Sequence, residues 1–144
     1  MTRESFTFDD VLLVPGYNHH MSRRDVDVSM VDRTGKLKLA LPILTSNMDT
    51  VTESEMANFI GERGGAGVLH RFMSVDENVA EFKKCKTTTF VSIGCSAAEV
   101  ERAIALRDAG AQFFCVDVAH AHARYVGQTI KALRENLKNE CILG

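Results

Sequence analysis

Five short apolar runs recur along the chain at a nearly fixed interval. They are Pro42-Ile43-Leu44-Thr45, Ala66-Gly67-Val68-Leu69, Phe90-Val91-Ser92-Ile93, Phe113-Phe114-Cys115-Val116 and Cys141-Ile142-Leu143. They start at residues 42, 66, 90, 113 and 141, so the steps are 24, 24, 23 and 28 residues. Each run is continuously apolar, not alternating, as expected of parallel strands covered on both faces. Helical patterns fill the gaps. Val126, Ile130, Leu133 and Leu137 make the cleanest stripe, Met56, Phe59 and Ile60 mark an earlier helix, and Val75, Val79 and Phe82 another. A further helix is expected over 97–109, ending at Gly110, a residue suited to the position just past a helix.

Three of these helices are preceded by the same signature. Thr50-Val51-Thr52-Glu53, Ser74-Val75-Asp76-Glu77 and Ser96-Ala97-Ala98-Glu99 all read as capping boxes, each a few residues after its strand. The chain is therefore expected to be built of repeated βα units. Such units make either a doubly wound sheet or a (β/α)8 barrel. No G-x-G-x-x-G follows the first strand; Gly61, Gly64 and Gly65 come before the second one. That speaks against a dinucleotide-binding doubly wound start. The expected fold class is α/β, the N-terminal half of a (β/α)8 TIM barrel, with four βα units plus the start of a fifth strand over 42–144. Residues 1–41, with Val11-Leu12-Leu13-Val14 before Pro15-Gly16, are expected to form an arm or short hairpin outside the repeat. A barrel takes about 250 residues, so a 144-residue chain is expected to be a fragment or a half that assembles with a partner.

Composition narrows the class further. With 17 basic and 19 acidic residues the net charge is -2, which gives no support for a nucleic-acid or anionic-membrane partner. No apolar run approaches the roughly 20 residues a membrane span needs, and MTRESFTFDD has no signal-type apolar segment. A cytoplasmic protein is the expectation. Cys85, Cys95, Cys115 and Cys141 lie far apart with no C-x-x-C pair, so no zinc site is expected; Cys95, Cys115 and Cys141 read as ordinary buried thiols.

In a barrel, chemistry gathers at the carboxyl ends of the strands. Three loops qualify: Ser46-Asn47-Met48-Asp49, His70-Arg71-Phe72-Met73 and Asp117-Val118-Ala119-His120-Ala121-His122. In the last, Asp117 can accept two ribose hydroxyls through its carboxylate, and His120 can stack on a flat ring; equally, Asp117 can cap the helix beside solvated histidines. The spacing of His120 and His122 is not that of a helical metal pair. His70 and Arg71 read as a phosphate or carbonyl contact, or, slightly preferred, as a cap and a solvated charge. His19-His20 reads as a polar loop and Asp9-Asp10 as a turn.

Taken together, Thr7-Phe8-Asp9-Asp10-Val11-Leu12-Leu13-Val14-Pro15, Asn47-Met48-Asp49-Thr50-Val51, Gly67-Val68-Leu69-His70 and Val116-Asp117-Val118-Ala119-His120 resemble the IMP dehydrogenase and GMP reductase family over essentially the whole chain. The resemblance implies a barrel enzyme, usually homotetrameric, that works on a purine nucleoside monophosphate with a nicotinamide cofactor. It implies a nucleophilic cysteine after the sixth strand, matched by none of the four cysteines here, and a potassium site, also outside this segment. Residue by residue, Ser46 and Met48 match nucleotide-binding positions, and Asp117, with Val118, Ala119 and His120, matches the cofactor-binding run. Arg71 stands where reductases carry a catalytic lysine; Ala121 and Ala123 replace the usual glycine and serine. Only about a dozen residues separate the helix at Ser74 from Phe90, which leaves no room for the regulatory insertion usual in dehydrogenases. Asn47 and Ser22-Arg23 also lean toward reductases, whereas Ser46, Thr52-Glu53 and the Asp9–Pro15 run lean toward dehydrogenases. On this balance the resemblance favours a GMP reductase using NADPH (NADP as cofactor), with a dehydrogenase using NAD as the alternative. A non-catalytic, self-associating half barrel is the reading of another class.

Overall fold

The computed structural model describes residues 4–137 and, by their backbone alone, 141–143. Residues 4–31 are exposed throughout. Asp10 closes a turn on Thr7, its carboxylate accepting from the Thr7 backbone N–H at 2.9 Å, and Ser22 caps a 3-10 turn at Arg23–Asp25. A hairpin follows, in which β1 (Met30–Val31) pairs antiparallel with β2 (Lys38–Leu39).

The repeat then runs α1 (Ser54–Gly61), β3 (Gly67–Leu69), α2 (Val75–Phe82), β4 (Thr89–Ile93), α3 (Ala97–Asp108), β5 (Phe113–Val116), α4 (Arg124–Leu137) and β6 (Cys141–Leu143). The sheet is parallel and its order is β3-β4-β5-β6, the order of the sequence. A doubly wound sheet would reverse its order and place helices on both faces. Here one cluster joins Ala57, Ala103, Leu106, Val126, Leu133 and Leu137 of the helices to the strand residues Leu69, Val91, Ile93, Phe114 and Val116. All four helices thus cover one face of the sheet, the outside of a barrel.

Period-two alternation sends the other strand residues inward. Register places Val68, Phe90 and Phe113 side by side across three strands, and the hairpin residues Leu37 and Leu39 pack against them. Phe90 and Phe113 lie near the starts of their strands, so the hairpin closes the amino-terminal end of the half barrel. The carboxyl ends, where the candidate loops lie, stay open. Gly110 ends α3 as expected, with φ at 106 and paired bonds from Gly110 N–H to Arg107 O and from Ala111 N–H to Leu106 O, which is the Schellman closure.

Four expectations need correction. Residues 42–45 are not a covered strand: they form a single parallel bridge, Leu44 to Ala66, and Ile43 and Leu44 stay nearly half exposed at the sheet edge. The apolar stripe of α1 faces outward, with Met56 and Phe59 exposed, because Ala57 sits directly on Gly67 and turns the small-residue face inward. Only Ser74 of the three expected boxes makes the reciprocal cap, with Glu77. The cap of α1 is Glu53, without a side-chain bond; instead Glu81 on α2 accepts from Ser54 N–H at 2.7 Å. Ser96 makes no side-chain cap bond, and the Glu99 carboxylate that would close the box accepts from Gly94 N–H instead, at 2.6 Å. The thiols expected to be buried are half-buried at Cys95 and Cys115; the side chain of Cys141 lies outside the described residues.

Candidate functional site

The loop after the first run is held from beneath. Thr52, fully buried, donates its hydroxyl to Ser46 O at 2.6 Å, and the N–H groups of Val51 and Thr52 both reach Met48 O. With its backbone clamped, the loop leaves the Ser46 and Met48 side chains exposed. Thr52, an interior position of the expected Thr50–Glu53 box, thus shapes this loop.

His70 follows β3 and is 3% exposed, so it is neither a cap nor a solvated group. Its Nδ1 accepts from Phe72 N–H at 3.1 Å, which puts the ring proton of neutral imidazole on Nε2. That Nε2–H has no hydrogen-bond partner among the described residues. It points at the Glu53 carboxylate, 3.6 Å away, across the wall of an open cleft of ≈ 480 Å³ that Asp49, Glu53 and Glu77 also line. The two groups face each other, without a bond, where the first and second strand-end loops meet.

Arg71 is not a solvated charge either. Its Nε donates to Asp117 Oδ2 at 3.2 Å, with both side chains about 30% exposed. Asp117 continues the column of Phe113 and Cys115 on the inner face of β5, and its N–H extends the ladder to Ile93 O. It caps nothing, since α4 begins only at Arg124. Val118 packs against the core, while Ala119 and His120 are exposed.

A buried network fixes these loops. Arg102 on α3 donates to Glu99 Oε1, Asn78 Oδ1 and the carbonyls of Met73 and Ser74. Asn78 in turn donates to His70 O, and Glu99 holds Gly94. Of these, the sequence points only to Glu99, and to it as the acid of a capping box, not as the partner of Gly94 and Arg102. The only available signal was the Glu99–Arg102 spacing of three on a helix, which is also common on solvated faces. The thiols are quiet: burial pushes the Cys85 thiol up, and burial with the nearby Asp117 charge does the same at Cys115. Among the described residues no three His, Cys, Asp or Glu side chains group to hold a metal, and no helix is long and apolar enough to cross a membrane.

A strand-end cluster of this kind, on a sequential parallel sheet, matches a known pattern. The family model described as the IMP dehydrogenase / GMP reductase domain matches residues 5–144. The chain belongs to this family. Inosine-5'-monophosphate dehydrogenases from several strains of Staphylococcus aureus are 46% identical over 84 residues, 58% of this chain and 17% of theirs. The crystal structure of inosine 5' monophosphate dehydrogenase from Legionella pneumophila superposes with a TM-score of 0.90 at 62% identity, covering 96% of this chain and 43% of that one. The chain thus spans less than half the length of the relatives it matches. The fold is that of part of a (β/α)8 barrel: the edge bridge at Leu44 with α1, then the four parallel strands β3 to β6 and the helices between them.

Proposed function

We propose that this chain forms the N-terminal part of an oxidoreductase that acts on a purine nucleoside monophosphate, and that of the family's two reactions it serves the oxidation of IMP with NAD. The Arg71–Asp117 pair carries this choice. A guanidinium keeps its proton at every working pH, and this one is tied to a carboxylate. The position that reductases fill with a proton-giving lysine therefore has no proton to give. Thr52 and Glu53, which lean toward dehydrogenases, are both used in the strand-end loops, and the similar proteins named above are dehydrogenases. This departs from the sequence expectation of a GMP reductase with NADPH. That reaction remains the second reading, supported by Asn47 and by the short 83–88 connection between α2 and β4.

In this proposal the exposed side chains of Ser46 and Met48 face the nucleotide, and Asp117 accepts a ribose hydroxyl of the cofactor. Val118, Ala119 and His120 flank that contact. The nicotinamide supplies the hydride acceptor. The chain's own part is to orient the two ligands at the strand ends, and we propose a homo-oligomeric, cytoplasmic enzyme.

Two assays of the full-length gene product decide between the readings. With IMP and NAD, nicotinamide absorbance should rise; with GMP and NADPH, it should stay flat. The reverse pattern would make the protein a reductase. For the isolated 144-residue chain the expected result is no turnover with either pair, since none of its four cysteines matches the nucleophile that the family resemblance implies.

A further inference from the structure

Asp117 was expected to meet a ribose with both carboxylate oxygens, but one of them is taken. Oδ2 accepts from Arg71 Nε, and Oδ1 is the carboxylate oxygen with no partner among the described residues. On the same guanidinium, Nη1 and Nη2 make no hydrogen bond among the described residues. The group is about one third exposed, and Phe72 backs it, its ring centroid 5.2 Å from Cζ. A fixed acceptor and a free fork of N–H donors therefore stand side by side at the strand ends.

The space for this arrangement comes from Gly94. A Cβ at that position would lie 3.3 Å from Arg71 Nη1, 3.4 Å from Arg71 Cζ and 3.2 Å from Glu99 Cγ. Gly94 is itself pinned, because Glu99 holds its N–H and Arg102 holds Glu99. Arg71 thus crosses from the second strand-end loop to the fourth over a slot that a larger residue would fill.

We propose that Arg71 and Asp117 form one recognition element for a sugar phosphate. Asp117 Oδ1 accepts a sugar hydroxyl, Arg71 Nε fixes the carboxylate, and Arg71 Nη1 and Nη2 take a phosphate oxygen of the same molecule. The planar fork suits a phosphate better than a point charge does. This inference rests on the reading of Asp117 as a cofactor contact, and names the nicotinamide nucleotide half, with its phosphate, as what the pair recognises. Arg71 is then both a binding residue and the positioning residue for Asp117.

Nicotinamide mononucleotide and nicotinamide riboside differ only by the phosphate, so their affinity ratio reads the Arg71 contact. Calorimetric titration of the full-length gene product should show the mononucleotide binding about 10-fold more tightly, the value of one charge-assisted contact. Arg71→Met should bring the ratio close to one. Arg71→Lys should keep part of it, and Gly94→Ala, which crowds the guanidinium, should lower it. Asp117→Asn should weaken both ligands equally and leave the ratio intact. A general loss of structure would weaken both ligands without erasing the preference. If Arg71→Met and Gly94→Ala retain the wild-type ratio, or if the wild type has no preference, the inference is overturned while the cofactor reading stands. If Asp117→Asn changes neither ligand, or the wild type binds neither, the cofactor reading falls and the inference falls with it.

Discussion

Glu81 shows how much one side chain can hold in this fold. Burial would raise its pKa, but hydrogen bonds from Lys84 and Ser54 outweigh that and lower it from 4.5 to about 2. A carboxylate whose folded pKa is depressed adds stability above its unfolded value and loses it as pH falls through the folded one. The contribution is therefore complete above about pH 4.5 and gone near pH 2. Urea unfolding should find Glu81→Gln less stable than wild type at neutral pH, with the gap closing below pH 4; a gap that persists unchanged near pH 2 would remove the charge from the explanation. Arg102 is a harder test, because its loss strands Glu99, whose side chain is 14% exposed. Arg102→Met should cost about 3 kcal/mol in denaturant unfolding, and a change under 1 kcal/mol would make the network decorative. Neither role could be read from the sequence. Ser54 and Glu81 are 27 positions apart, and Arg102 reaches Met73 across 29; local pattern carries no information about such partners.

Helices and strands were easier to read than the bonds at their ends. The runs at 113–116 and 141–143 coincide with β5 and β6, and the stripe Val126, Leu133 and Leu137 is buried on α4, because hydrophobic period depends on burial and little else. Caps depend on competition. All three [ST]-x-x-E stretches carry the right residues, yet Glu99 finds a better-placed donor in Gly94, and Ser54 is served by Glu81. Alanine substitution should separate them. Ser74→Ala should cost about 1 kcal/mol, whereas Ser96→Ala and Thr50→Ala should stay within about 0.5 kcal/mol; equal losses at all three would restore the sequence reading. The seat of α1 on β3 gives a second test. A Cβ at Gly67 would overlap Ala57, both residues are buried, and two backbones rather than a flexible side chain would have to part. Gly67→Ala should destabilise by about 1–3 kcal/mol, measured by the same unfolding midpoint.

Across the whole molecule, the parallel sheet has one face under four helices and the other closed at its amino end by the hairpin. Outside both lies the arm. Phe8, Leu12, Leu13, Tyr17 and Met21 are each at least 95% exposed, and burying one such side chain is worth about 1.5–3 kcal/mol. So many exposed apolar side chains on one arm are expected to seek a partner surface. Because no residue from 4 to 31 is buried, the arm adds little to the folded state of its own chain. Deleting residues 1–21 should therefore leave the unfolding free energy within about 0.5 kcal/mol of the full chain. Light scattering after size exclusion should show the full chain heavier than its 15.9 kDa monomer, and the deletion should shift the distribution toward monomer. A monomeric full chain whose arm resists proteolysis would show that the arm folds back on its own barrel. A deletion that unfolds the protein would show the same by another route. Either result would move the arm from the surface between molecules to the inside of one.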